Sequence, residues 1–372
     1  MLKIGITGQT GFVGTHLYNT IGLYPEEFER VLFKKEFFSD QQQLETFVSQ
    51  CDVIVHLAAM NRHNDPQVIY HTNVDLVQKL VDALELTQSK AHVLFSSSTQ
   101  EERDNEYGKS KREGREALYN WSNRNGGKFT GLIIPNVFGP FGHPNYNSVI
   151  ATFCHKLTHN DIPTIAIDGD LKLIYVGELV AVILSEIRSN KSQSQKIVSF
   201  TSAAKVSEIL TLLENYKSEY MDKGSIPVIG NTFELNLFNT FRSYMDIATH
   251  FPVSFVQNID PRGSFVEIIR LGVGGQVSFS TTVPGITRGN HYHTRKIERF
   301  AVIKGKALIQ LRRIGTDEVL DFYLDGNAPS YVDMPIWYTH NIKNIGDEVL
   351  YTNFWINEFY NSNDPDTYFE NV

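Results

Sequence analysis

Apolar residues in the first half of the chain alternate between two arrangements. Leu2–Thr7, Val31–Lys34, Val53–Leu57, Val93–Ser97 and Phe129–Ile134 are brief runs rich in β-branched and aromatic residues, the pattern of buried strands. Between them Gln41–Ser49, Gln67–Leu86 and Tyr107–Asn125 carry the spacing of helices with one apolar face. This alternation predicts an α/β domain: a doubly wound parallel sheet with helices on both faces. Mixed helix and strand from Tyr175 to about Thr240 completes it. Past a joint at Tyr244–Val253 the pattern changes. Short alternating segments follow, at Ser264–Ile269, Gln276–Thr281, Phe300–Ile303, Ala307–Arg313, Val319–Leu324 and Val349–Trp355, with Gly, Asp, Asn and Pro between them. They predict an all-β barrel or sandwich. The expected division is residues 1–245 and 246–372.

Composition adds exclusions. A length of 372 residues suits two cores. With 34 basic and 42 acidic residues the net charge is −8, and no basic surplus exists to neutralise nucleic acid or an anionic membrane. No window of about 18 apolar residues suggests a membrane span. The N-terminus does not resemble a signal peptide. Cys51 and Cys154 belong to no paired motif, so a reducing cytoplasm is expected.

The first strand runs into Gly8, Gly11 and Gly14, and then into a helical stretch that includes Phe12 and Val13. Glycines let a backbone approach phosphates, and the helix N-terminus offers free N–H donors. The spacing GxxGxxG in this context points to a dinucleotide pyrophosphate. Where strand two ends, an NAD enzyme would place a carboxylate for the ribose hydroxyl. Lys34 and Lys35 stand there instead, which favours the 2′-phosphate of NADPH. Tyr107 and Lys111, four apart, share one face of a helix. A lysine there is expected to lower the phenol's pKa and ready it for proton exchange with a carbonyl or alcohol. Ser98, in "LFSSSTQ", is placed to hydrogen-bond the same oxygen.

This half resembles the extended short-chain dehydrogenase/reductases that act on nucleotide sugars, which are Rossmann-type. The shared runs are GxxGxxG, "DVIVHLAA", Asn73 in "HTNV", the serine strand, YxxxK, "PNVFGP" and "YVGEL". The resemblance implies a catalytic set of Ser98, Tyr107 and Lys111, with Leu57 and Ala58 along the cofactor. It also places "PNVFGP" and "HPNYNSV", hence Asn136, Asn145 and Asn147, beside the sugar nucleotide. Two departures stand out. Ser98 precedes Tyr107 by only nine residues, so Ser97 or Thr99 could serve in its place. The Asp-Glu pair that dehydratases carry after the serine is Thr99-Gln100 here, with Glu101 and Glu102 displaced, which disfavours elimination of water and favours reduction.

In the second domain His291 and His293 lie one residue apart, on one side of a strand, with Glu298 five residues on and His340 on a separate segment. Three imidazoles and a carboxylate suit Zn²⁺ or another first-row divalent ion. The spacing resembles the cupin barrel (jelly roll): Gly285, five residues, His291, one, His293, four, Glu298, six, Gly305, then Pro335, His340 and Asn344, with Trp337 where glycine is usual. "DPRGSF" and "RGNHYH" also resemble the metal-free nucleotide-sugar 3,5-epimerases, in which the residue matching His291 is a base; ligand or base therefore stays open. Tyr338, Asp333, Lys296 and Tyr292 are candidate proton carriers.

The two halves together resemble the bifunctional capsular-polysaccharide enzymes of bacterial N-acetylfucosamine precursor synthesis, to which "NYNSVIATFC", "YTHNI" and "PDTYF" add. That resemblance implies C3 epimerisation of a UDP-2-acetamido-2,6-dideoxy-4-hexulose by the cupin. NADPH reduction at C4 to UDP-2-acetamido-2,6-dideoxy-L-talose would follow, in a homodimer. The alternatives are a reductase with a non-catalytic cupin used for binding or dimerisation, and an epimerase that retains NAD.

Overall fold

A computed structural model describes residues 1–261 and 263–372; Arg262, inside the "DPRGSF" run, lies outside the described residues. The chain forms two compact units, residues 1–152 with 166–206, and residues 153–165 with 207–372.

The first unit opens with β1 (Leu2–Thr7), α1 (Phe12–Ile21), β2 (Phe28–Val31), α2 (Gln41–Gln50), β3 (Val53–His56), α3 (Pro66–Leu86), β4 (His92–Ser98), α4 (Glu106–Asn125) and β5 (Lys128–Ile134). It continues through β6 (Asn136–Phe138), α5 (Val149–Thr158, which crosses into the other unit), β7 (Asp170–Tyr175), α6 (Val176–Ser189), β8 (Gln193–Ile197) and β9 (Ser202–Lys205). Local chemistry sets the helix starts. Asp40, Asp65 and Asn105 each cap the following helix by accepting a backbone N–H, and Pro66 occupies the first turn of α3. The strands order as β2-β1-β3-β4-β5-β8, all parallel, and β6-β7-β9 form a small second sheet. Apolar cores fill both faces, one around Phe47, Phe95 and Trp121, the other around Ile6, Leu132 and Ile183. The order reverses at β1, whose C-terminal end carries the glycine turn, so that turn stands at the crevice where open α/β sheets bind ligands.

One strand differs from expectation. The second spans Phe28–Val31, not Val31–Lys34. Phe28 and Val31 are buried in it, while the Phe33 ring turns into a cluster with Phe37, Phe38 and Phe47. An apolar run alone does not distinguish a strand from a loop that plugs the core.

The second unit contains α7 (Val206–Tyr216, continued by a π-helical turn at Lys217–Asp222), α8 (Thr232–Arg242) and α9 (Ile247–His250). Strands β10 (Val253–Ser254), β11 (Gln257–Asp260), β12 (Gly263–Val266), β13 (Gln276–Thr282), β14 (Thr287–Tyr292), β15 (Glu298–Lys304) and β16 (Lys306–Arg313) follow. β17 (Val319–Asp325), β18 (Ser330–Met334), β19 (Tyr338–Asn344), β20 (Leu350–Ile356) and β21 (Tyr368–Phe369) complete it. Two antiparallel sheets, β10-β18-β15-β20-β13 and β17-β16-β19-β14-β21, share a core of Ala301, Val302, Ile309, Leu311, Phe322, Val332 and Ile342. β11 and β12 pair as a separate ribbon, shorter than the expected strand at Ser264–Ile269.

Residues 207–245, expected with the first domain, pack against these sheets. The buried Tyr220 hydroxyl donates to Asp333 at 2.7 Å and Arg242 donates to the Met334 carbonyl at 3.1 Å. Arg299 donates to the Gly224 carbonyl at 2.8 Å and clasps Asp333 through two bonds of 2.7 and 2.9 Å. Helical periodicity reveals that a helix has a buried face, but not which sheet receives it.

Candidate active site and metal centre

The glycine turn is tight for a physical reason. Gly8 adopts φ +76°, its carbonyl accepts the Gly11 N–H at 3.0 Å, and a Cβ on Gly14 would lie 2.1 Å from that same oxygen. α1 starts at Gly11 with no side-chain cap and no acidic residue in its first turn, so its leading N–H groups face the crevice unneutralised. A cavity of 560 Å³ opens there. Gly8, Gly11, Phe12, Val13, Gly14 and Leu57 line it together with Ser98, Tyr107, Lys111, Asn136 and Asn147. Ala58 does not line it, although a Cβ on Gly8 would meet the Ala58 backbone at 2.9 Å. Lys34 is exposed beyond β2 and also lies off the cavity. Asn145 lines an adjoining hollow of 460 Å³ with Arg62.

α4 presents Tyr107 and Lys111 toward the end of β4. The buried Lys111 ammonium donates to the Ser96 carbonyl at 2.8 Å and lies 5.0 Å from the Phe95 ring centre and 5.7 Å from that of Tyr107. Burial pushes its pKa down to about 8, with Glu101 opposing. The expected lowering of the Tyr107 phenol is reversed: burial pushes it up to about 12, and the nearby Tyr146 phenol adds to the effect. Burial outweighs the Lys111 ammonium, which is itself desolvated and lies 5.7 Å from the ring centre.

Ser97 and Ser98 differ in their partners. Ser97 hydrogen-bonds Glu101, whereas Ser98 accepts the Gln100 N–H at 3.1 Å and keeps its own O–H for a ligand. Glu101 is fully engaged, since Arg115 forks onto its carboxylate with bonds of 2.9 to 3.1 Å. It offers no free acid to the cavity. Two lining residues escaped the sequence reading, one in each hollow. Asn61 donates its N–H to the Tyr146 hydroxyl at 3.1 Å, and Arg62 holds the Asn145 and Tyr146 carbonyls at 2.9 Å each. The two residues pin the "NYN" loop at the cavity mouth. Only their place just past the β3 "HLAA" run hinted at this.

In the second unit the four residues His291, His293, Glu298 and His340 converge, each offering one ligand atom within 4.8 Å of the others. β14 pairs with β19 so that His291 stands opposite His340, after a bulge at Asn290 with φ +60°. His293 follows β14 directly, and Glu298 begins β15. Trp337, where glycine is usual, does adopt the left-handed φ of +63° that glycine favours; its N–H reaches the His293 carbonyl at 2.8 Å and its ring stacks on Tyr292.

The hydrogen bonds define the charge of this cluster. His293 Nδ1 faces the Asp366 carbonyl and His340 Nδ1 the Tyr338 carbonyl. A carbonyl only accepts, so both Nδ1 atoms carry hydrogen and both Nε2 atoms present lone pairs. Those Nε2 atoms each lie 3.2 Å from Glu298 Oε2, and all three atoms are buried without a hydrogen-bond partner. Lone pairs aimed at one another require positive charge between them. A proton serves one pair, whereas a divalent ion serves all four ligands at once. Without an ion, a proton supplies part of that charge. Burial opposes ionisation of Glu298, yet His293 and His340 hold its carboxyl far below the usual range. His293 is raised, because Glu298 and the Asp366 carbonyl outweigh burial. His291 is pushed down to about 4 by burial and by His340, and so offers a neutral imidazole.

Of the proposed proton carriers, Asp333 is locked in the Arg299 pair and Lys296 donates to the Pro365 carbonyl at 2.6 Å. Tyr292 stacks between Trp337 and Tyr368. Tyr338, half-buried two residues before His340 on β19, has its phenol raised by burial.

Residues 4–199 match the model of the NAD dependent epimerase/dehydratase family, and residues 258–368 that of the polysaccharide biosynthesis C-terminal domain. The chain is 33% identical to a UDP-2-acetamido-2,6-beta-L-arabino-hexul-4-ose reductase of Pseudomonas aeruginosa, over 99% of this chain and 98% of the relative. Among solved structures, the capsular polysaccharide assembling protein CapF of Staphylococcus aureus is 36% identical with a TM-score of 0.62, covering 99% of this chain and all of that one. CapF with the inhibitor 3-isopropenyl-tropolone is 32% identical with a TM-score of 0.60, covering both chains fully. The chain belongs to the NAD dependent epimerase/dehydratase family, in the CapF-like form that carries a polysaccharide biosynthesis C-terminal domain.

Proposed function

We propose that this protein is a bifunctional nucleotide-sugar enzyme of capsular polysaccharide synthesis. The observation that carries the reading is the joining, in one family member, of a tyrosine-lysine cavity beside a glycine turn and a histidine-glutamate cluster with three orphaned ligand atoms. The cluster, read as a cupin metal site, epimerises C3 of a UDP-2-acetamido-2,6-dideoxy-4-hexulose. The cavity then reduces the C4 ketone to UDP-2-acetamido-2,6-dideoxy-L-talose. The cofactor is NADPH, favoured by Lys34 and Lys35 after β2. The ion is Zn²⁺ or another first-row divalent metal, held by His291, His293, Glu298 and His340. Tropolones chelate such ions through adjacent oxygens, in keeping with a tropolone inhibitor of CapF. A cytoplasmic homodimer completes the proposal.

The turn from Gly8 to Gly14 would hold NADPH, which would supply the hydride. The product alkoxide needs a proton at the same oxygen. Tyr107, kept protonated by burial up to a pH of about 12, is the donor, and Ser98 holds the oxygen with its free O–H. Lys111, charged below about pH 8, stabilises the phenolate left behind. Asn136 and Asn147 line the sugar side, with Asn145 at the adjoining hollow. His291, His293, Glu298 and His340 would hold a divalent ion, whose positive charge would acidify the C–H beside the ketone.

The test follows the 4-keto sugar by NMR in D₂O, first without NADPH and then with it. Deuterium should appear beside the ketone without NADPH, and His340→Ala should abolish it. Exchange at the parental rate in His340→Ala would overturn the epimerase assignment and leave a reductase with a non-catalytic β domain. Retained NAD⁺ without net NADPH consumption would overturn the reductase.

A further inference from the structure

The "PDTYF" run near the end of the chain has no part in the chemistry above, yet it grips the metal cluster. Asp366 is buried and adopts φ +41°, a left-handed conformation that non-glycine residues seldom hold. Both ends of this residue are used. Its carbonyl takes the Nδ1–H of His293. Its carboxylate accepts three successive backbone N–H groups, from Thr294 at 3.1 Å, Arg295 at 3.1 Å and Lys296 at 3.0 Å, and the Thr294 hydroxyl at 2.6 Å. Those residues form the turn between His293 and Glu298.

The neighbours of Asp366 reinforce the grip. Lys296 donates to the Pro365 carbonyl, and Arg295 pairs with Asp364 at 2.8 Å and Glu358 at 3.1 Å. Three residues on, β21 pairs with β14 and sets Phe369 opposite His291. A single six-residue stretch, Asp364–Phe369, thus fixes the strand bearing one imidazole, the tautomer of the second, and the turn leading to the carboxylate.

We infer that Asp366 is a positioning residue for the metal: it sets the Nδ1–H tautomer of His293 and the spacing of His293 to Glu298. The inference rests on the metal reading of the cluster. Groups that orient a ligand imidazole typically change metal affinity by about 10–100-fold when removed.

The experiment measures Zn²⁺ affinity of the full-length protein by competition with a chromophoric chelator, and records the visible absorption of the Co²⁺ form. Asp366→Ala should weaken Zn²⁺ by about 10–100-fold and alter the Co²⁺ spectrum. Asp366→Gly relieves the backbone conformation but still lacks the carboxylate, and should weaken binding likewise. Asp366→Asn keeps the shape and part of the acceptor set, and should fall between. It decides by the same criterion if the other two fail to fold. Affinity within about twofold of the parent, with an unchanged Co²⁺ spectrum, would overturn the positioning role. A parent that binds neither ion would instead overturn the metal reading.

Discussion

The two sites differ in how their polar atoms stand before any ligand arrives. In the first unit cavity side chains already have partners: Lys111 donates to the Ser96 carbonyl and Ser98 accepts the Gln100 N–H. What awaits a ligand there is the Ser98 O–H and, above all, backbone, at an uncapped helix start behind close-packed glycines. In the second unit the reverse holds. The backbone is paired into strands, and three buried side-chain atoms of the cluster have no hydrogen-bond partner. A dinucleotide is bound by shape and many weak dipoles, so its site can be complete in itself. A metal ion replaces a missing positive charge, so its site is recognisable as an electrostatic deficit.

The comparison can be broken first at Tyr107. Removing a proton donor typically costs about 10²–10⁴-fold in rate, so Tyr107→Phe should slow NADPH oxidation by that amount. Deuterium exchange in D₂O should continue at the parental rate. Equal losses in both reactions would mean that the two sites do not work separately. Gly14→Ala is a smaller insult. Its Cβ would overlap the Gly8 carbonyl, and overpacking of this kind costs about 1–3 kcal/mol, or about 5- to 150-fold in NADPH affinity measured by fluorescence titration. Zn²⁺ affinity should not move. Smallest is a pH effect. Lys111 is charged below its value of about 8 and neutral above it, so reduction should be level at lower pH and decline by at most about tenfold per unit above it. Exchange at the metal cluster should lack that breakpoint. A shared breakpoint would remove Lys111 as its cause.

The convergence of the four candidate ligands was legible in the sequence because it depends on spacing. HxH on a strand with a following glutamate leaves few geometries, and the structure brings His291, His293, Glu298 and His340 together. The sheet and helices of the first unit were legible for the same reason, from the periodicity of buried positions. What escaped depends on burial or distance along the chain. The phenol of Tyr107 shifts upward because its surroundings exclude water, which no i, i+4 spacing records. Asp366 and Thr294 lie 72 positions apart, and nothing local marks them as partners. Helices α7 and α8 have clear apolar faces, but Tyr220 and Arg242 reveal their sheet only once Asp333 and Met334 are beside them.

The division of the chain into its two units has a practical corollary for dissecting the gene. The polypeptide passes from one unit to the other after residues 152, 165 and 206. No single stop codon or start codon can therefore release either unit intact. A truncation after residue 245 would strip the β sheets from the helices that carry Tyr220 and Arg242, and one after 206 would leave 153–165 without the unit it packs in. Loss of one activity in such fragments would report a damaged fold, so point substitutions in the intact chain are the sound way to separate the two reactions.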